Sequence, residues 1–520
     1  MERSEGEHRA AKRSADQPEP QRKRPSDLTA SQRDNTEARS AREQGHKAGA
    51  QGKAHGGGRR PPDGFSRSRR TYGPSRRARS VTTEKRGEAG CKRAKTGAQR
   101  NGQRGRSPRR TFCEVVRLRT FASSPLRSVT PRSAERGSRG GFSVNVVGIV
   151  AEYNPFHTGH AFHLAETRRR LGECTAVVVM SGHFVQRGEC AVFDKWTRAR
   201  AALEGGADLV LELPTVWAAA SAERFAWGAV NILREAGADA LSFGSESGDE
   251  HGLREVAACL DRTEFHAGLR RFLDRGLPFA ACRQAAVREL MGEAPAALLS
   301  GPNDNLGVEY LKAARRLGWE PEAVAIPRRG AGHDGGCHPD HPSASWLRER
   351  IVSGELEAEN PADMMTGQRW MLAALRRMDE SGFAALPDCG EGLSHRFFRA
   401  ARQGRTLDEV YALVKTRRYA HARIRRAALW GALGLTERDR PDAPPYLRVL
   451  GAGERGRALL RELKKTARLP VITKPAHARK LDGPGQRLFE LEARCTDLYQ
   501  LCRKTPGPCA LEWTSGPVML

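Results

Sequence analysis

No apolar run in the 520-residue chain approaches the roughly 18 to 20 residues that span a bilayer, and no signal-peptide core stands at its N-terminus. A soluble, cytoplasmic protein without membrane contact is expected. Paired cysteines are also missing. The 11 cysteines are scattered without a CxxC, several inside apolar patterns, so they read as reduced, mostly buried thiols and not as a disulfide frame. Acidic residues are scarce at the start of the chain: residues 1–140 hold 14 of the 61 Asp+Glu but 36 of the 88 Lys+Arg, a net +22 out of +27, which leaves +5 for the rest. The same stretch has few aliphatics and no helical or strand period. It is rich in Arg, Gly, Ser, Gln and Pro, as in "GGGRRPPDGFSRSRRTYGPSRRARS", and cannot bury enough apolar area to offset its chain entropy. Residues 1–143 are therefore expected to be disordered. Their composition favours an extension of the reading frame upstream of the true start; the alternatives are a basic arm that binds RNA by counterion release and a transit peptide, which the early acidic residues oppose.

From Val144 the pattern becomes regular. "VNVVGIVAEYN", "TAVVVMSG", "ADLVLELP", "ADALSFGSE" and "EAVAIPRR" read as buried strands, separated by the helical patterns "FHLAETRRRL", "DKWTRARAALEGG" and "AERFAWGAVNILREAG". Strands alternating with helices predict an α/β fold with right-handed crossovers and a mostly parallel sheet covered on both faces. This domain is expected over residues 144–355; from 356 to 520 helices dominate, which predicts a second, mainly helical domain. Ligands of open parallel sheets bind beyond the carboxyl ends of the strands. The polar strand ends "EYNPFHTGH", "MSGHFVQRGE", "ELP" and "FGSE" should then converge on one site.

In "HTGH", His157 and His160 flank Gly159 where a strand hands over to a helix. The glycine permits close approach to a ligand, and the helix start offers free N–H groups and a positive dipole end, so a nucleotide triphosphate is the simplest guest. The plain alternative is that two histidines three apart only cap the helix. "PSASWLRERI" is a second anion-site candidate, in which Ser343 or Ser345 caps a helix and Arg348 follows one turn on. "HDGGCHPDH" invites a zinc reading through His333, Cys337, His338, Asp340 and His341. Structural zinc sites place ligand pairs on both sides of an ordered loop, and only one cluster exists here, so no metal site is expected and a loop over a nucleotide is the simpler account. "VKTRRYAHARIRRAALWG" mixes basic residues with Tyr419 on an expected amphipathic helix. It is either a solvated face or an RNA contact through Lys415, Arg417, Arg418, Tyr419, Arg423 and Arg425.

"VVGIVAEYNPFHTGHAFHL", "VVVMSGHFVQRGECAVFDKWTRARAAL", "GADLVLELP", "LSFGSE", "PNDNLGVEYLK", "SASWLR" and "VKTRRYAHARI" resemble, in order, the bacterial tRNA(Met) cytidine acetate ligases, over Val144 to about Cys502. The resemblance implies a Rossmann-like nucleotidyltransferase domain that joins acetate to ATP as acetyl-adenylate, releasing pyrophosphate. The acetyl group then passes to the wobble cytidine of elongator tRNA(Met). It implies an ATP-binding segment of Val150, Ala151, Glu152, Tyr153, Asn154, Pro155, Phe156, His157, Thr158, Gly159, His160, Ala161, Phe162 and His163, with further contacts at Gly244, Asn303 and Arg328. His157 and His160 are the expected catalytic residues, stabilising charge at the α-phosphorus, while Arg328, with Lys195 and Arg348, neutralises pyrophosphate; magnesium should accompany the ATP. The sequence departs from the family pattern at His183, at Pro327 and in "GAGHD", which lacks a tyrosine before its histidine. A small-molecule adenylyltransferase of cofactor biosynthesis would use the same elements, but predicts a small second domain and no basic helix.

Overall fold

In the computed structural model of the chain, residues 145–328 and 342–520 are described. The segment expected to be disordered and the histidine loop from His333 to His341 lie outside them. Strand β1 (Val146–Ala151) is built from valine, isoleucine and small residues whose first four side chains are buried. It pairs in parallel with β2 (Thr175–Ser181) on one side and β6 (Ala240–Ser245) on the other. A two-stranded antiparallel hairpin, β3 (Phe184–Val185) and β4 (Glu189–Cys190), follows β2. Beyond β2 lies β5 (Leu209–Leu213), and beyond β6 lies β7 (Glu322–Pro327). Helices α1 (Thr158–Leu171), α2 (Lys195–Glu204), α3 (Ala222–Glu235) and α4 (Pro302–Arg316) connect the strands. The order β5-β2-β1-β6-β7 shows that the chain winds outward from β1, returns, and winds outward the other way. The reversal falls between β1 and β6, and there the strand ends leave a crevice.

After α5 (Ala344–Val352) the chain is mainly helical, with α6 (Met364–Arg377) and α7 (His421–Leu433) among its helices. One part of it is not. Strand β8 (Leu447–Ala452) joins the main sheet antiparallel to β5, and it carries β9 (Val471–Ile472) and β10 (Val518–Met519) at its side. Its sequence, "LRVLGA", is short and interrupted by arginine and glycine, so no period marks it as a strand. Arg448 is nevertheless only 1% exposed.

The carboxylate Glu512 lies 3.4 Å from Arg448 and explains its burial. Lys195, fully enclosed, places its Nζ 2.6 Å from Glu212 and 2.5 Å from the same Glu512. Glu492, on helix α8 (Gly483–Gln500), accepts the Thr215 N–H at 2.5 Å and the Thr215 hydroxyl at 2.8 Å. Lys195, expected at a phosphate site, is thus the counter-charge of a buried cluster and does not reach the crevice. A lysine at a helix start looks the same in sequence in either role, because the two glutamates it pairs with come from other segments of the chain.

Burial, reinforced by the neighbouring charge of Glu212, pushes the Glu492 carboxyl up to about 8. A carboxyl raised in the folded state binds more protons folded than unfolded, so the stability it contributes is full below the usual carboxylate range and is lost as pH rises toward the folded value. Thermal melts from about pH 5 to about pH 8 should show the midpoint falling, and falling less in Glu492→Gln. Equal slopes in the two proteins would remove Glu492 as the source.

Candidate active site

Six residues separate the end of β1 from the first turn of α1, and their side chains organise each other. His157 is the N-cap of α1; its Nδ1 accepts the Gly159 N–H at 3.0 Å, while Nδ1 of His160 accepts the His157 N–H at 3.2 Å. This reciprocal pair satisfies two of the open donors at a helix start, and the two rings lie 3.8 Å apart, centroid to centroid. A Cβ at position 159 would stand 2.8 Å from Cε1 of His157. Glycine therefore separates the histidines because the first ring folds across its position.

The capping bonds also fix the chemistry of the rings. With each Nδ1 accepting, the proton of a neutral imidazole must sit on Nε2. Burial, and then the neighbouring His157, His163 and Arg328, hold His160 well below the usual imidazole range. Burial pushes His163 down to about 4, and its Nε2 lies 2.9 Å from the Ser242 hydroxyl. The histidines at this turn thus offer N–H dipoles, added to the helix N-terminus. Tyr153 braces them: it is 2% exposed, its ring is 4.7 Å from that of His160, and its φ of +46° is a left-handed backbone that costs a bulky residue about 1–3 kcal/mol.

At the β1/β6 reversal opens a cleft of about 500 Å³, within the size range of ligand sites. Val150, Ala151, Glu152, Tyr153, Asn154, His157, Gly159, His160, Phe162 and His163 line it, joined by Gly244, Asn303, Arg328, Ser343, Ser345 and Arg348 from elements distant in sequence. Phe225, Phe243, Leu306 and Ile326 form its apolar wall. Pro155, Phe156, Thr158 and Ala161 do not line it, and Phe156 belongs to the core. Ser343 caps α5 by accepting the Trp346 N–H at 3.2 Å, and Arg348 donates to the Asn154 carbonyl at 2.7 Å and to the Ser345 hydroxyl at 3.1 Å. The early and late anion-site candidates are thereby fastened to one another. Asn303, at the start of α4, donates its backbone N–H to Glu246 at 3.0 Å and its side-chain amide to the same carboxylate.

Residues 144–510 match the HIGH Nucleotidyl Transferase family. The tRNA(Met) cytidine acetate ligase of Thermoanaerobacter sp. (strain X514) is 33% identical over 399 residues, covering 71% of this chain and 98% of the relative. The chain belongs to the tRNA(Met) cytidine acetate ligase family. The ligase of Syntrophotalea carbinolica is 37% identical over 399 residues, 69% of this chain and 94% of that one. A crystal structure of Thermotoga maritima TmcAL bound with alpha-thio ATP superposes with a TM-score of 0.65 at 31% identity, over 72% of this chain and 99% of that one.

Two of the three expected departures from the family pattern have a structural place. His183 lies outside the cleft, packed between Trp196 and Tyr499 with its Nδ1 3.2 Å from the Thr496 hydroxyl. Pro327 lines the cleft beside Arg328. The third, in "GAGHD", falls outside the described residues.

Several site residues escaped sequence reasoning. Arg198, buried, donates to the carbonyls of Glu152 at 2.6 Å, Ser181 at 3.1 Å and Gly182, and so ties the ends of β1 and β2 together. Gln186, Arg187 and Glu189 of the β3–β4 hairpin line the cleft, as do Asn305 and Tyr310 of α4. The hairpin follows a strand end in "SGHFVQRGE", which is a signal, but no spacing tells which of its residues turn inward. Gly188 at its tip has a φ of +77°, and a Cβ there would meet the Arg426 backbone nitrogen at 2.5 Å.

The basic stretch is only partly as expected. Helix α7 begins at His421, and the residues from Lys415 to Ala420 form an irregular turn in which Lys415 donates to the Tyr419 carbonyl. Tyr419 is 5% exposed and donates its hydroxyl to the Glu391 carbonyl at 2.6 Å, so it cannot stack on a base. Its ring is spent on the core. Arg418 is 3.1 Å from Glu391, Arg423 donates to the Asp388 carbonyl at 2.8 Å, and Arg425 pairs with Glu189 of the hairpin. Arg417 and Arg418 are exposed.

Among the described residues, no cluster of three or more His, Cys, Asp or Glu could hold a metal ion, and no helix is long and apolar enough to cross a membrane. Their cysteines are all free, and buried except for Cys509.

Proposed function

We propose that the chain is a cytoplasmic, ATP-dependent acetate ligase that makes acetyl-adenylate and transfers the acetyl group to the exocyclic amine of the wobble cytidine in elongator tRNA(Met). The observation that carries this reading is the pair of neutral histidines, both fixed as Nε2–H donors at a helix N-terminus beside a cleft at the sheet's switch point. The family supports the substrates: its members are named for this reaction, and the Thermotoga relative holds an ATP analogue.

The triphosphate lies against the start of α1, where His157, His160 and the free helix N–H groups face the charge that builds at the α-phosphorus as an acetate oxygen attacks. Arg328 and Arg348 neutralise the departing pyrophosphate. ATP would enter as its magnesium complex, the metal supplying charge neutralisation to the triphosphate beside Arg328 and Arg348. Residues 144–355 carry this step. The helical region from 356 to 520, with Arg417 and Arg418 on its surface, holds the tRNA so that the amine meets the mixed anhydride.

The test uses the purified chain with ATP, labelled acetate and tRNA(Met), following acetate-dependent exchange of pyrophosphate into ATP and N(4)-acetylcytidine by nucleoside mass spectrometry. Both are expected. Exchange without acetylcytidine in any tRNA would leave a small-molecule adenylyltransferase.

A further inference from the structure

Transfer of the acetyl group leaves a proton to be placed. The cytidine N4 forms a bond to the acyl carbon, the bond from that carbon to the adenylate oxygen breaks with its electron pair leaving on AMP, and N4 must lose one hydrogen. The histidines are badly suited to take it. His157 and His160 accept backbone N–H groups at Nδ1, so Nε2 already carries the proton, and Nε2 of His163 is engaged with Ser242.

Only two carboxylates are among the described residues that line the cleft, Glu152 and Glu189. Glu189 is committed to Arg425. Glu152 accepts the Gln186 N–H at 2.7 Å through Oε1, which sets the plane of its carboxylate, and no hydrogen bond among the described residues occupies its Oε2. Its own carbonyl is pinned by Arg198 at 2.6 Å, so the group is held from both ends at the mouth of β1, five residues before His157.

We propose that Glu152 is the base that receives the N4 proton in the acetyl-transfer step, passing it afterwards to solvent. This rests on the ligase reading above. Charged and titratable groups face Glu152 from every element around it: Arg187 and Glu189 from the hairpin, Arg348 from α5, Arg198 from α2 and Tyr310 from α4. Burial raises its carboxyl and outweighs the lowering by the Gln186 N–H and by Arg187, Arg348 and Arg198. A carboxylate raised from its ordinary value is a stronger proton acceptor near neutral pH. Since the ionised form is the active one, the transfer rate should climb with pH through the carboxyl's titration and then level.

The experiment compares exchange and acetylcytidine formation in the same preparations of the full chain, across pH, for wild type, Glu152→Gln and Glu152→Asp. In Glu152→Gln, transfer should fall about a hundredfold further than exchange does, the size of a lost general base, whatever the variant costs nucleotide binding, and the remaining transfer should lose its acid limb. Glu152→Asp keeps a base at a longer reach; it should keep part of the transfer with the limb displaced, which decides the matter if the glutamine variant does not fold. Transfer and exchange falling together, or an acid limb that persists in Glu152→Gln, would overturn the assignment and make Glu152 a positioning residue for the nucleotide. Absence of both reactions in wild type would instead mean failure of the ligase reading, so the two failures are distinguishable.

Discussion

Alanine in place of His160 is expected to slow acetate-dependent exchange of pyrophosphate into ATP by about 10²- to 10³-fold, the usual cost of removing one preorganised donor from a developing charge. Two losses coincide. The Nε2–H dipole disappears, and so does the acceptor for the His157 N–H, which frees the first ring from the arrangement that defines its tautomer. His160→Asn separates them, because its amide oxygen can still accept that N–H while its amide hydrogens point elsewhere; it should keep the fold of the turn and lose most of the rate. The pH dependence tells charge from dipole. His160 is held below the usual imidazole range, so it stays neutral as pH falls through about 6.5, and exchange should show no rise there. A rate that grew on acidification through that window would mean an imidazolium is the active form. Exchange within a few-fold of wild type in His160→Ala would remove the residue from the chemistry.

Lys195→Met should be the most destabilising of the simple substitutions, by about 3–5 kcal/mol, because it takes one partner out of a buried ionic cluster and leaves the others uncompensated. Burial works against the Lys195 charge, yet Glu212 and Glu512 outweigh it and raise the ammonium above its ordinary value. Its contribution is therefore complete at neutral pH and would be lost only as the solution rises through the folded lysine value. In the methionine variant, Glu212 and Glu512 lose their nearest cation and keep the more distant Arg448. They can relieve the imbalance only by taking up protons, so the deficit should shrink as pH is lowered. Urea unfolding of the two proteins at neutral and mildly acidic pH reads this directly. A difference under about 1 kcal/mol at neutral pH would show the cluster to be no more important than a surface pair.

The parts legible in the sequence were those set by neighbours in the chain. Strand β1 runs into a helix whose first turn holds both histidines, and the local spacing of His157, Gly159 and His160 is enough to predict an anion site there. The plain alternative, a helix cap, is what the structure shows, and the capping bonds that fix the rings as donors are also what the proposed anion site needs. What stayed hidden depends on partners far along the chain. Lys195 reads as a phosphate ligand until Glu212 and Glu512 are seen around it. Tyr419 reads as a base-stacking ring until its hydroxyl is found on the Glu391 carbonyl. Glu152 sits in full view within the motif, but only the hairpin N–H on its carboxylate and the capping bonds of His157 and His160 single it out. Strand β8 is invisible to periodicity because a half-dozen residues containing arginine and glycine carry no period at all.

That strand matters before the protein is finished. The chain emerges from the ribosome with β1, β2, β5, β6 and β7 well ahead of Leu447, and in that interval the outer edge of β5, whose five side chains end up wholly buried, has nothing to pair with. A buried strand edge left open, even one of five residues, is a template for other nascent chains. Every described residue that lines the cleft, the last of them Arg348, is already made while this edge stands open, and truncation at the junction near residue 356 would make that passing vulnerability permanent.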